Sequence, residues 1–232
     1  MALDQWLLEH AEREGARHAW LRLYRWDPPC LSFGRNEPAR LRYDRELIER
    51  LGLDVVRRPT GGRAVWHEHE VTYAVVAPVA AFGSLRESYL AIHRRLADAL
   101  SRLGAAATLA PSPQRAPGPE AGPCFTQPVG GEVVIEGRKV VGSAQVRLGN
   151  AFLQHGAILL DGSQDIVSQV SRAAAAAMAA TTLTAALGRR VGFDEVSTAI
   201  VDAWSPECAV IRTAEPPARR SRFHHPAWTW RR

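Results

Sequence analysis

DVVRRPTGGRAVWHEHEVTYAVVAP, residues 54–78, decides how the rest of the chain is read. Its patterning predicts a strand over Asp54–Arg58, a tight turn over Pro59–Gly62 and a second extended run over Arg63–Val76. Two adjacent glycines free the backbone to take positive φ and let another group come close to the main chain. Arg57, Arg58 and Arg63 surround that bare stretch with fixed positive charge, an environment suited to a carbonyl oxygen, a phosphate or a carboxylate. The plainer alternative is an ordinary hairpin with solvated arginines.

Working outward, the 232 residues suffice for one large domain, or one domain with a small appendage. With 46% hydrophobic residues the composition is that of a globular chain, and no apolar run approaches the roughly 18 residues of a membrane span. The N-terminus, MALDQWLLEH, lacks the basic-then-apolar layout of a secretory signal. Cys30, Cys124 and Cys208 are few, odd in number and far apart, which argues against a disulfide framework or a zinc site and for a reducing cytoplasm. A net charge of +5 favours acidic partners, either nucleic acid or acidic carrier proteins, and composition does not choose between them. Of the 29 basic residues counted as Lys and Arg, Lys139 is the one lysine. Where charge alone is needed this chain uses arginine, so that ammonium stands out.

Along the chain, Met1–Glu14 reads as an amphipathic helix, and His18–Trp26 and Cys30–Gly34 as strands split by an Asp-Pro-Pro turn. Cys30 is expected as a small core residue. Pro38–Leu51 reads as one helix closed by Gly52. Ser84–Leu103 reads as a helix capped by Ser84, with Leu85, Tyr89, Ile92, Leu96, Leu100 and Leu103 as its apolar stripe. Its histidine, His93, is expected at the surface or its boundary. A short strand over Ala105–Ala110 and an irregular proline-rich loop over Pro111–Pro123 come next. Residues 132–160 are patterned as an antiparallel meander with turns at Glu136-Gly137 and Leu148-Gly149-Asn150. Gln164–Ser171, Thr182–Leu187 and Phe193–Trp204 look helical, and the basic tail, with two tryptophans and two adjacent histidines, is either a disordered end or a docking arm.

Three residue types carry possible chemistry. Cys124, in GPCF at the end of the proline-rich loop, is either a buried inert thiol or, beside cationic groups, a thiolate nucleophile. Lys139, on a strand after the Glu-Gly turn, could point to solvent, or could hydrogen-bond a carbonyl and stabilise an oxyanion. His67 and His155 could each act as a base or hold a structural hydrogen bond.

RRPTGGRAVWHEHEVTY (57–73) and EVVIEGRKVVGSAQVRLGNAFLQHGAILLD (132–161), in that order, resemble the two hallmark blocks of the biotin/lipoate protein ligase superfamily. The similarity is closer to its lipoyl/octanoyl transferase branch. The resemblance implies an α/β fold, a mixed, largely antiparallel sheet with packed helices. It implies a catalytic domain over residues 1–205 followed by the tail, 206–232. It also implies transfer of an octanoyl or lipoyl group from acyl carrier protein, through a thioester on Cys124, to a lysine of a lipoyl-accepting protein. That acceptor would be the glycine-cleavage H protein or the lipoyl domain of a 2-oxoacid dehydrogenase E2.

On the same resemblance Lys139 is the active-site lysine. Arg58, Gly61, Gly62, Arg63, Ala64 and His67 from the first block would bind substrate. Gly142, Ser143, His155 and Gly156 from the second would do so too. No metal or cofactor is implied. The transferase subgroup usually follows Cys-Phe with Asp-Ala-Pro, whereas Thr126, Gln127 and Pro128 stand here. Arg63 replaces the third glycine of the ligases, as in the transferases. An ATP-dependent lipoate–protein ligase is the alternative enzyme; it usually carries a further C-terminal domain, and 45 residues follow Leu187. A nucleic-acid-binding module would fit the basic charge and leave the two blocks unexplained. A degenerate homologue that binds acyl groups without turnover is a third alternative.

Overall fold

Glu70–Pro78 (β5) is the spine of the protein, and its sequence EVTYAVVAP is buried along all but its last residue. Such a β-branched run with no polar alternation belongs to a strand covered on both faces. In the computed structural model, which describes residues 1–15, 17–111, 130–173, 180–205 and 222–231, β5 pairs antiparallel with β1 (Trp20–Tyr24) on one side and β10 (Ala151–Leu159) on the other. β10 pairs in turn with β9 (Val141–Leu148), giving the order β1-β5-β10-β9. Successive side chains point to opposite faces. Val71, Tyr73, Val75 and Ala77 therefore pack under α4 (Leu85–Arg102) and α7 (Phe193–Trp204), against Ile92, Leu96, Leu100 and Ile200. Ala74 and Val76 face α1 (Ala2–Arg13), meeting Leu7, Leu8 and Ala11.

The expected α/β architecture is present, but the strands divide among three sheets. β2 (Cys30–Phe33) lies between β3 (Asp54–Arg57), parallel to it, and β4 (Val65–His67), antiparallel to it. The stretch 54–76 is therefore no hairpin: its two arms flank β2, and the second arm breaks after His67 so that β4 and β5 enter different sheets. Gly34 shows why β2 can sit there. A Cβ on it would lie 1.8 Å from the Gly62 carbonyl oxygen, so the exit of β2 packs backbone to backbone on the diglycine turn. The third sheet has the order β6 (Ala107–Leu109), β7 (Val133–Ile135), β8 (Arg138–Lys139). Its Glu136-Gly137 turn has positive φ at both residues, the geometry of a two-residue hairpin. The expected meander is thus two hairpins, broken at Val140, in two sheets.

The predicted helix over 38–51 is two helices, α2 (Ala39–Arg42) and α3 (Arg45–Arg50). Tyr43 leaves the helix to bridge Ser171, and the Asp44 side chain then accepts from Leu47 N, capping α3. Ser84 caps α4 as expected, accepting from Glu87 N. α5 (Asp165–Gln169), α6 (Leu183–Leu187) and α7 fall where the periodicity predicts. Cys30 is a core thiol, pushed up to about 12 by burial. Residues 112–123 of the proline-rich loop and Cys208 lie outside the described residues.

His93 is a correction. It is fully buried, because it sits four residues after Tyr89 and three before Leu96, inside the apolar stripe of α4. Its Nδ1 donates to Gly131 O at 2.6 Å and its Nε2 lies 2.8 Å from Ser143 Oγ. Burial pushes its pKa down to about 4, helped by the charge of Lys139 and opposed by the bond to Gly131.

The described end of the tail, 222–231, is docked on its own chain as a short 3₁₀ turn followed by α8 (Pro226–Thr229). Trp230 packs against Phe33, and Phe223 joins Cys30 and Val56. What holds the arm is Arg57, 0% exposed. Its guanidinium donates to Gly34 O and Glu37 O (both 2.7 Å), Thr229 O (3.0 Å) and Arg231 O (2.9 Å). The Trp228 indole N–H donates back to Arg57 O at 2.9 Å.

Arg57→Ala leaves several buried carbonyls without a donor and will lower unfolding free energy by about 3 kcal/mol or more in urea titration. Arg57→Lys, with three donors instead of five, will recover only part of it. His93 predicts an acid-side loss. The unfolded chain binds a proton near the ordinary 6.5 that the folded chain refuses down to about 4. Stability is therefore complete above that window and falls through it as pH drops, by up to about 3 kcal/mol. Urea midpoints across the window, with His93→Asn flattening the slope, check this.

Candidate active site

The turn that follows β3 is held from beneath. Arg58 is 4% exposed and donates through Nη1 to Ser32 O (2.9 Å) and Ser32 Oγ (2.6 Å), and through Nη2 to Gly61 O (3.2 Å) and Arg63 O (2.7 Å). This is a buried clamp on the turn rather than a solvated hairpin arginine. Gly62 has φ +88°, a conformation that favours glycine, and Arg35 N donates to Thr60 O at 2.7 Å, tying the turn to the chain after β2.

A narrow cleft with about 350 Å³ of empty space, its open mouth included, lies between this turn and the β5-β10-β9 sheet. Six expected substrate residues line it: Arg58, His67, Gly142, Ser143, His155 and Gly156. Val65, Ala144 and Ala157 supply apolar wall, with Thr72 and Met1 beside them. These five were not singled out in the sequence; the strand alternation around Ser143 and His155 was the available signal. Gly61, Gly62 and Arg63 stand beside the cleft without lining it, the Gly62 position facing the Ala144 side chain. Ala64 is turned away, packed with Leu31, Phe33 and Tyr43. At Gly156 the strands leave no room for a side chain. A Cβ there would lie 2.3 Å from Gly142 O, 2.7 Å from Ser143 Oγ and 2.8 Å from the Tyr73 ring.

Both block histidines are buried and bonded at each ring nitrogen. His67 donates from Nδ1 to Glu70 Oε1 (2.7 Å), shares a 2.6 Å bond between Nε2 and Ser32 Oγ, and stacks on Trp26. Thr72 also donates to Glu70. His155 is pushed down by burial, against the raising effect of Asp4. It is therefore neutral, donating from Nδ1 to Asp4 Oδ2 (3.3 Å) and accepting at Nε2 from Thr60 Oγ1 (2.6 Å). Asp4 is itself fixed by Arg22 (2.7 Å) and Tyr24 (2.8 Å).

Ser32–His67–Glu70 and Thr60–His155–Asp4 have the connectivity of a nucleophile, base and acid. Yet Ser32 and Thr60 are fully buried, and Ser32 Oγ already accepts a hydrogen bond from Arg58. They are scaffolding for the cleft.

Lys139 is 2% exposed and donates from Nζ to Glu132 Oε1 at 2.6 Å. It does not line the cleft, but its charge acts on His93 and that of Glu132 on Tyr73, so the pair sits just behind the wall that carries Ser143. Cys124 lies outside the described residues. Among the described residues no group of three or more His, Cys, Asp or Glu is arranged to hold a metal ion, and no helix is long and apolar enough to cross a membrane. An apolar slot with a polar rim suits an aliphatic chain that ends in a polar group.

Comparison with known proteins shows the family and the fold. A family model described as the lipoyl protein ligase A/B catalytic domain matches residues 1–205. The octanoyltransferase LipM of Kyrpidia tusciae is 45% identical over 168 residues, covering 69% of this chain and 61% of that protein. LipM of Moorella thermoacetica is 45% identical over 168 residues, 69% of this chain and 60% of that one. The chain thus spans about three fifths of the length of the curated relatives it matches. Among solved structures, lipoate-protein ligase A bound with ATP superposes with a TM-score of 0.70 at 21% identity, over 86% of this chain and 77% of that one. The putative lipoate protein ligase Ta0514 of T. acidophilum with bound lipoic acid gives 0.67 at 21%, over the same shares. At those identities the structures speak for the fold, and the family match speaks for descent. The chain belongs to the lipoyl protein ligase A/B catalytic domain family.

Proposed function

We propose that the protein is an octanoyltransferase of protein lipoylation, moving an octanoyl group from acyl carrier protein to a lysine of a lipoyl-accepting domain. The observation that carries this is the narrow cleft, apolar at Val65, Ala144 and Ala157 and polar at Arg58, His67 and His155. Relatives at 45% identity that are named octanoyltransferases give the reading its chemistry. Each methylene seated in such a slot contributes about 0.8 kcal/mol.

In this mechanism the Cys124 thiolate attacks the carbonyl of the carrier thioester. The carrier's carbon–sulfur bond breaks, and the carrier leaves as a thiol. The acceptor's lysine amine then attacks the new thioester, an amide forms, the amine proton is lost and the Cys124 sulfur is released. Exchange between sulfurs is nearly balanced in energy and amide formation from a thioester is downhill, so neither ATP nor a cofactor is needed. The oxyanion of each tetrahedral intermediate falls to Lys139, whose ammonium is held by Glu132 behind the cleft wall in this structure and has to turn toward the carbonyl to reach it. Acidic carrier and acceptor domains suit a chain of net charge +5. The glycine-cleavage H protein and the E2 lipoyl domain are the candidate acceptors, and the reducing cytoplasm suggested by three scattered cysteines is where the thiol would work.

Intact-mass measurement after incubation with octanoyl carrier protein will show one octanoyl adduct, absent in Cys124→Ser. An adenylate formed only with ATP and free lipoate would replace the proposal with a ligase. Absence of acyl chemistry in both assays would leave a binding protein. Lys139→Ala will lower turnover by about 100-fold or more. Lys139→Arg will not restore it, because the site beside Glu132 is closed to a larger fork.

A further inference from the structure

Behind the cleft wall runs a chain of hydrogen bonds that the transfer mechanism leaves unused, from Gln145 on β9 to Gly131 before β7. Its direction follows from its ends. Gly131 offers a carbonyl, so His93 must donate to it from Nδ1 (2.6 Å). Burial keeps the imidazole neutral, so Nε2 can only accept, and the hydroxyl 2.8 Å away, that of Ser143, gives its proton there. With that proton spent, the 2.6 Å contact between Ser143 Oγ and Tyr73 OH must be donated by Tyr73. The Tyr73 oxygen in turn takes an N–H of Gln154 (2.8 Å), and the Gln154 carbonyl takes one from Gln145 (2.8 Å). Tyr73 OH is 3.5 Å from His93 Nε2, too far to compete.

A hydroxyl has one proton and two lone pairs. Ser143 spends its proton on His93 and one lone pair on Tyr73, and it lines the cleft. One lone pair is all it has left for a bound molecule. At its other nitrogen His93 grips the residue before Glu132, whose carboxylate holds Lys139.

We propose that His93 is a positioning residue of this site. It makes the Ser143 hydroxyl a pure acceptor, and through Gly131 it sets the start of the strand from which Glu132 holds Lys139. The group bound against Ser143 is consequently an N–H, O–H or S–H donor, or hydrocarbon, and never a bare carbonyl or carboxylate oxygen. The kinetic part of this rests on the octanoyl-transfer reading; the tautomer and the binding preference do not.

Two variants separate the two halves. His93→Asn keeps an N–H within reach of Gly131 and loses the acceptor for Ser143. His93→Gln reaches Ser143 and loses the grip on Gly131. With octanoyl carrier protein, His93→Gln will lower kcat about tenfold with KM little changed, the size of one misplaced hydrogen bond. In calorimetry with octylamine and octanoate as probes, His93→Asn will shift the ratio of the two affinities toward octanoate by about tenfold, since the freed Ser143 proton can now be donated. A merely structural histidine would lower thermal stability while leaving both kcat and the ratio of the two probe affinities unmoved, and that result overturns the proposal. Nitrogen NMR of the unmodified protein needs no variant to fold: His93 must be protonated at Nδ1 and bare at Nε2, and the opposite tautomer also overturns it. If the tautomer and the probe ratio behave as stated while no octanoyl transfer occurs, the transfer reading falls and this one stands.

Discussion

Two permanently charged guanidinium groups, on Arg57 and Arg58, are buried one after the other at the end of β3, and the surrounding chain must supply them with oxygen acceptors. An unmatched buried charge would cost several kcal/mol, so the geometry of these acceptors is not optional. Arg57 gathers carbonyls from the segment after β2 and from the docked arm, residues more than 170 positions away in sequence. Arg58 gathers those of the diglycine turn and of Ser32. Gly34 and Gly62, in backbone contact between them, share one fate: the turn cannot shift without disturbing both arginines. The cleft inherits its rigidity from this pair.

Above that foundation the polar lining is organised by three buried histidines, each with a hydroxyl at Nε2 and an oxygen acceptor at Nδ1: Ser32–His67–Glu70, Thr60–His155–Asp4 and Ser143–His93–Gly131. In His93 and His155, whose pKa values burial lowers, the imidazole is neutral and one nitrogen gives while the other takes. The arrangement fixes hydroxyl protons that would otherwise rotate, so the wall presents a defined pattern of donors and acceptors to whatever enters.

Much of this was legible in the sequence where the signal is local. The Ser84 cap, the stripe of α4, the Glu136-Gly137 turn and the glycine at 62 each follow from conformational limits that act within a few residues. Lys139 was conspicuous because no other lysine accompanies it. What escaped the sequence was long-range. The run 63–76 carries no mark of leaving one sheet for another, since a buried strand looks the same in either. Arg57 looks like a surface arginine until its partners arrive from the far end of the chain. His93 was misjudged because a polar residue in an apolar stripe was weighed by its type rather than its position. Ala64, expected at the cleft, turns into the core beside Phe33 because strand alternation sends its neighbour Val65 the other way.

The close approach at Gly156 has a wider bearing. A side chain at that point would run into the Gly142 carbonyl, the Ser143 hydroxyl and the Tyr73 ring, so the strand presents bare main chain there. Substitution can lengthen, shorten or recolour the slot at its side-chain positions, but at Gly156 even a methyl group forces neighbouring backbone to move. This part of the wall is therefore closed to change by replacement of a single residue.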